Sequence, residues 1–195
     1  MTRKAPIALA LAAAVLLGGC ISLGKEPPDS LLSLTPTATA GAGAAVGGSM
    51  AQALQVVEPD APARLDVLRV PVQVDDTNVA YLKDALWVEK PARLFRRLLG
   101  ETIRARGTRL VIDGDDPALT PRTQLRGTLR EFGYDARSMS VIVRYDAIRD
   151  VNDQAVAARR FESVIPGVAP EAGPVGEALN RAANDVAAQV AEWIG

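Results

Sequence analysis

The sequence predicts an α+β fold: a mostly antiparallel sheet with two amphipathic helices packed on one face. Two observations carry this. Segments with apolar residues at every second position recur along the chain. The last three, 123–134, 139–149 and 154–165, follow one another across the turns Asp135-Ala136-Arg137-Ser138 and Asp150-Val151-Asn152-Asp153, as in a meander. Two other segments, one mid-chain and one last, repeat apolar residues at helical spacing. Strands in series with two such helices most simply bury one sheet face and leave the other in water or free for a partner.

In chain order, Ser30-Leu31-Leu32-Ser33-Leu34 before Pro36 is a short strand. Residues 35–51 are rich in Ala, Gly and Thr, with too little apolar surface to offset the entropy of ordering them. They are expected to form a flexible loop whose ends lie about 23 Å apart on average. A second short strand, 53–58, is closed by Pro59-Asp60-Ala61-Pro62. Segment 65–74 alternates, with Leu68, Val70, Val72 and Val74 on one face. Pro71 has no N–H for a ladder, which predicts an edge position. Asp75-Asp76 is a strand-end turn, and 79–82 and 86–89 flank Lys83-Asp84-Ala85 as a hairpin.

The first helix begins near Lys90 with Pro91 in its first turn. Leu94, Phe95, Leu98, Leu99 and Ile103 share one side, and Gly107 is the residue just past its end. A short strand at 109–112 leads into the turn Asp113-Gly114-Asp115-Asp116-Pro117. The last helix runs from Pro174 to Ile194, with Val175, Leu179, Ala182, Ala183, Val186, Val190 and Trp193 as its apolar stripe. There is no internal repeat and no second domain boundary.

The amino end is of another kind. Arg3 and Lys4 precede an uncharged run, 5–17, and then Leu17-Gly18-Gly19-Cys20. A basic start, an apolar run and small residues before the cut make an export signal. Cys20, the only cysteine, directly after the small residues adds a lipobox: its thiol is joined to a diacylglycerol before cleavage between Gly19 and Cys20. The run is too short to span a bilayer, which takes about 20 apolar residues. Each acyl CH2 contributes roughly 0.8 kcal/mol in a membrane, and one chain alone holds weakly, so a stable anchor needs several chains. The expected organisation is a signal peptide at 1–19, a lipidated tether at 20–29, and one domain at 30–195 with the flexible loop at 35–51. Residue 21 is Ile rather than Asp. By similarity to sorted Gram-negative lipoproteins, this favours the outer membrane.

Removing the signal takes Arg3 and Lys4 from the 22 Lys and Arg, leaving 20 basic residues against 23 acidic ones, a net charge of −3. Nucleic-acid binders carry a basic excess instead, so no nucleic-acid partner is expected. There is no histidine, and the one cysteine is committed to lipid. That excludes Cys/His metal sites, Ser-His-Asp and Cys-His nucleophiles, redox pairs and an internal disulfide. No cofactor and no enzymatic activity are expected.

Three constellations remain. Arg93, Arg96, Arg97 and Arg104 lie within about 100° of one another on the first helix, opposite its apolar stripe. They form either a contact for an acidic partner or anionic head groups, or a solvated face with an Arg97–Glu101 pair. Asp113, Asp115 and Asp116 lack the spacing and closing Glu of a calcium loop, and so form a surface turn. Tyr81 and Trp87 are candidate interface anchors if exposed. Trp87, just before the helix, is expected to bury its rings between helix and sheet.

The lipobox is followed by a Leu-rich strand ending at Pro36, and then by Arg69-Val70-Pro71-Val72. Tyr81, Trp87 and Pro91 come next, as Tyr-x5-Trp-x3-Pro entering an amphipathic helix. Paired strands follow, Leu125-Arg126-Gly127-Thr128-Leu129-Arg130-Glu131-Phe132 and Val141-Ile142-Val143-Arg144-Tyr145. Arg159-Arg160-Phe161-Glu162 and a terminal Ala/Val-rich helix with Trp193 complete the series. This order resembles the ABC-type transport auxiliary lipoproteins, the PqiC-like family, over most of residues 20–195. The resemblance implies an outer-membrane lipoprotein facing the periplasm, an α/β domain whose relatives can assemble into homo-oligomer rings, and partners in an MCE-domain protein with an ABC permease and ATPase that move lipids or other hydrophobic compounds. It carries over one functional residue, Cys20. The chain has no Gly-rich phosphate loop of its own. Two other classes fit the composition: a structural lipoprotein scaffolding another outer-membrane assembly or secretion machine, and a hydrolase of envelope polymers with paired carboxylates in a concave pocket.

Overall fold

The computed structural model describes residues 30–44, 46–112, 114, 121–151 and 156–195. The signal, the lipobox and the tether lie outside the described residues, as do Asp113, Asp115, Asp116, Asn152 and Asp153 of the two turns. In order come β1 (Leu54–Val56), β2 (Arg69–Gln73), β3 (Val79–Leu86), α1 (Pro91–Ala105), β4 (Val111–Ile112), β5 (Thr123–Asp135), β6 (Ser140–Val151), β7 (Ala157–Ile165) and α2 (Ala172–Ile194).

β5 is the spine of a sheet of seven strands among the described residues. One of its edges carries β6 antiparallel from Thr123↔Val151 to Asp135↔Ser140, and β7 continues antiparallel beyond β6. The other edge is shared. β1 runs parallel to β5 at Thr123, Gln124 and Leu125, β2 runs parallel at Tyr134 and Asp135, and Asp60 bridges Thr128 between them. β4 extends the first branch in parallel and β3 the second in antiparallel fashion. The α+β class is as predicted, but the sheet is mixed. Its parallel pairs come from short strands joined through long connections, which carry no local turn signal.

Two local expectations are corrected. The hairpin is not at 83–85 but one turn earlier, between β2 and β3. There the Asp75 carboxylate accepts from the N–H of Thr77 and of Asn78, each at 2.9 Å, and Val74 N–H bonds to Asn78 C=O. Residues 82–85 instead belong to one strand that bulges against β2, since the register shifts between Arg69↔Leu86 and Pro71↔Tyr81 and Asp84 takes φ 55°. Pro71, in turn, lies in an interior strand. It sits at that irregularity, and the β2–β5 pairing starts only at Val72, so its missing N–H interrupts no regular ladder.

The helices form as predicted. Pro91 opens α1 after Lys90, and Gly107, at φ 68°, closes it by donating to Arg104 C=O at 3.0 Å. Leu94, Phe95, Leu98, Leu99 and Ile103 are buried, as are Val175, Leu179, Ala182, Ala183, Val186 and Val190 on α2. α2 packs on β6 and β7 and against α1, which also meets β1 and β4. Between them, rings form a chain through the core: Trp87 to Phe132 at 5.4 Å, Phe132 to Phe95 at 6.3 Å, and Phe95 to Tyr145 at 5.3 Å. Each such ring contributes roughly 2 kcal/mol or more by leaving water.

The strand expected at 30–34 is reduced to one bridge, Leu32 beside Trp87, with Leu32 N–H on Leu86 C=O and Val88 N–H on Leu32 C=O. The stretch after it has no helix or strand among its described residues, yet its first part is fastened. Thr35 N–H donates to Asn180 Oδ1, Thr37 N–H to Asn184 Oδ1 and Ala40 N–H to Glu101 Oε1, each at 2.8 Å.

Candidate interaction surface

Both helices lie on one side of the sheet, and alternation turns the other side of β5, β6 and β7 to water. On β6, Val141, Val143, Tyr145 and Ala147 point inward and are buried, while Ile142, Arg144, Asp146 and Ile148 point outward. A bulge at Arg130, where the β5–β6 register shifts between Leu129 and Glu131, lets Leu129 and Phe132 both face the core. It brings Arg130 and Glu131 to the outer side together.

Charges of opposite sign face one another across this outer side. Asp146 accepts from Arg130 Nε at 2.9 Å and from Arg160 Nε at 2.6 Å. The Arg160 hydrogen bond first, and Arg130 after it, hold the Asp146 carboxyl down at about 2. Glu131 sits between Arg64, at 2.8 Å, and Arg144, whose Nε also reaches Glu162, and Arg126 meets Asp150 at 2.6 Å. Exposed pairs of this kind each contribute less than about 1 kcal/mol. What they supply is a flat, hydrated, doubly charged face, suited to a partner that comes and goes rather than to a permanent apolar interface.

At the β2 end this face dips into a cleft of about 350 Å3 lined by Arg64, Gln73, Asp76, Glu131, Arg137 and Arg144, among others. Its floor is tight: a Cβ on Gly133 would lie 2.5 Å from the Pro71 carbonyl oxygen. Carboxylates do meet in this concave place, as a carboxylate hydrolase requires. Such an enzyme also needs one of them kept protonated. Here Asp135 is pushed the other way, below the usual range, by its hydrogen bond from Arg137. Arg137 also holds Asp76. The cleft is an ion-paired recess.

The arginines of α1 do not form the open basic face that their spacing suggests. Arg96 is only 8% exposed and so shares the buried side of α1 with Ala92, Leu99 and Gly100. Arg93 and Arg97 are exposed, but Arg93 Nε lies 3.5 Å from Glu58 and Arg97 donates to Glu89. Arg104 bonds Glu101 at 2.6 Å. Trp87, 1% exposed, is a core residue, as its place before the helix predicts. Tyr81 is half-buried with the Arg69 guanidinium 4.6 Å from its ring centre. The outer-face network itself went unmarked at the level of sequence. Its one signal is opposite charges at alternate positions of paired strands, Arg144 and Asp146 opposite Glu162 and Arg160.

This fold occurs elsewhere. It is similar to protein XCC0632 from Xanthomonas campestris, of the DUF330 family, with a TM-score of 0.70 at 18% identity over 85% of this chain and 94% of that one. A crystal structure of an uncharacterized protein gives a TM-score of 0.65 at 15% identity, covering 85% of this chain and all of the other. A looser likeness, TM-score 0.40 at 15% identity over 73% and 87% of the two chains, is to the PelC dodecamer of Paraburkholderia phytofirmans. The curated proteins hold no match. The family model for the ABC-type transport auxiliary lipoprotein component matches residues 32–191. That span runs from the Leu32 bridge beside Trp87 through the whole sheet and into the last turn of α2, so the chain belongs to the ABC-type transport auxiliary lipoprotein family.

Proposed function

We propose that this protein is a non-enzymatic docking subunit, moored by acylated Cys20 to the periplasmic face of the outer membrane, that serves an MCE-type ABC system moving lipids or other hydrophobic compounds. Its docking surface is the outer face of β5, β6 and β7. Family membership supports the transport setting. The observation that carries the docking role is that face itself. One side of the sheet is sealed by α1 and α2, while the other keeps the Asp146, Glu131 and Arg144 ion pairs in water, with a recess beside them.

The composition supports a role without chemistry. A chain with no histidine and with its one cysteine in the lipobox lacks the usual nucleophile-base pairs. No helix of the described residues is long and apolar enough to cross a membrane. Mild-detergent purification of the protein from its native envelope tests the reading. An MCE-domain protein and its permease are expected to come with it in amounts comparable to the bait. A preparation from a transport-competent strain that yields neither contradicts the role.

A further inference from the structure

The Ala/Gly-rich stretch forms one wall of a second cavity, of about 450 Å3, against the end of α1 and the start of β4. Ala44, Val46, Ala105, Leu110 and Val111 make its lining mostly apolar. Both sides are tied in place. Glu101 takes the Ala40 N–H on one carboxylate oxygen and Arg104 on the other, and Leu54 N–H bonds to Leu110 C=O at 2.9 Å. A Cβ on Gly41 or Gly47 would meet nothing within 4 Å. This stretch contributes only Ala, Gly and Val side chains to the lining.

One charged group on the cavity stands out. The Arg109 guanidinium is half-buried, and no carboxylate among the described residues pairs with it. Its neighbour is another cation, Arg149, which is stacked 5.5 Å from the Trp193 ring centre. Burial first, and then Arg149, lower the Arg109 pKa. A cation drawn partly out of water beside a like charge is relieved by an anion, and a guanidinium takes a carboxylate through two parallel hydrogen bonds. An apolar recess of this size with one oriented charge is the usual form of a small-ligand site.

We propose that this cavity binds a single-chain anionic amphiphile, with the acyl chain along the wall of Ala44, Val46 and Gly47 and the carboxylate on Arg109. The site is separate from the docking face, and the inference does not depend on the docking role. It also gives the Ala/Gly-rich stretch a function: bulkier residues there would close the site.

The test uses the protein purified from its native envelope, in phosphatidylcholine vesicles, with palmitate carrying a photoreactive diazirine at its tail. Illumination is expected to attach the probe to the peptide holding Val46. The matching diazirine alcohol, which lacks the charge, should label it at least about tenfold less, as should the Arg109→Gln variant, the loss expected when one charged hydrogen bond goes. Gly47→Phe should abolish the labelling by filling the space. Labelling spread over the surface, or unchanged by Arg109→Gln, would overturn the assignment, and so would capture of a two-chain phosphatidylglycerol probe alone. Thermal unfolding of each variant shows that the fold is intact. Should Gly47→Phe not fold, the comparison of head groups on the unaltered protein decides alone.

Discussion

Asn184, on the last helix, holds Thr37 at the start of the chain through both polar groups of the threonine. The Asn184 Oδ1 accepts the Thr37 N–H at 2.8 Å and its hydroxyl at 3.1 Å, while Nδ2 donates to Thr35 C=O at 2.9 Å. Asn184 is 6% exposed while Thr35 and Thr37 are exposed, so these bonds are shielded on the helix side and open to water on the other. Replacing Asn184 by Leu strands the Thr35 and Thr37 backbone groups. It should cost about 1–3 kcal/mol in denaturant unfolding. Amides of residues 35–40 should then exchange with deuterium faster while those of β6 do not. Unchanged exchange at 35–40 would show that the segment is held by something else.

Gly127 is required by what lies opposite it. A Cβ there would come 2.0 Å from the Asp146 carbonyl oxygen and 2.9 Å from the Tyr145 ring and hydroxyl. Neither can retreat, since one is backbone and the other is packed against Phe95. Gly127→Ala is expected to destabilise by about 3 kcal/mol or more. Tyr145→Phe should be neutral or slightly stabilising, because the Tyr145 hydroxyl is buried without a partner. Equal losses from the two substitutions would contradict this geometry.

The lowered carboxylates set the response to acid, with Asp146 on the outer face and Asp75 in the β2–β3 turn both falling to about 2. The Asp146 pKa falls from 3.8 to about 2 in the fold, so the unfolded chain takes up the proton first as pH drops. Its contribution is therefore fully present above about pH 5 and is lost progressively towards pH 2. Asp135 and Glu89, lowered chiefly by hydrogen bonds from Arg137 and Arg97, act in the same direction. Unfolding midpoints should be flat from pH 5 to 7 and decline below. In Asp146→Asn the decline should be shallower, and the loss at pH 7 under about 1 kcal/mol. An acid limb identical in the variant would remove Asp146 from the account.

The proposed role of Cys20 is to carry the anchor, apart from the folded domain. Cys20→Ala should leave the circular dichroism and unfolding of the domain unchanged, since the core cluster is built from residues 54 to 194. The variant should take up no labelled fatty acid, since no thiol remains to form the thioether to diacylglycerol, and should leave the membrane fraction. A variant that still carries the label would refute the lipobox assignment.

Much of the fold was legible because it is written in local periodicity. The β6 alternation Val141, Val143, Tyr145, Ala147, the α1 stripe and the cap at Gly107 each follow from neighbours in sequence. What escaped depends on distant partners. β1 is flanked in parallel by β4 and β5, which no turn announces, and Pro71 is tolerated inside the sheet only because a bulge falls there. Arg96 reads as surface from charge alone but is buried in the fold. The lipobox is a motif of the sequence and lies outside the described residues, whereas the ion-paired face required register. Arg144 and Asp146 become a surface only once Glu162 and Arg160 are set opposite them.

Site-specific crosslinking bears most directly on the docking role. A photoreactive amino acid is placed at Ile148 or Arg160 on the outer sheet face, and at Arg181 on the exposed side of α2, in cells that make the whole transport system. The sheet positions should capture the MCE-domain partner and Arg181 should not. Capture from Arg181 alone, or from none of the three while transport continues, would contradict a protein that docks through its open sheet.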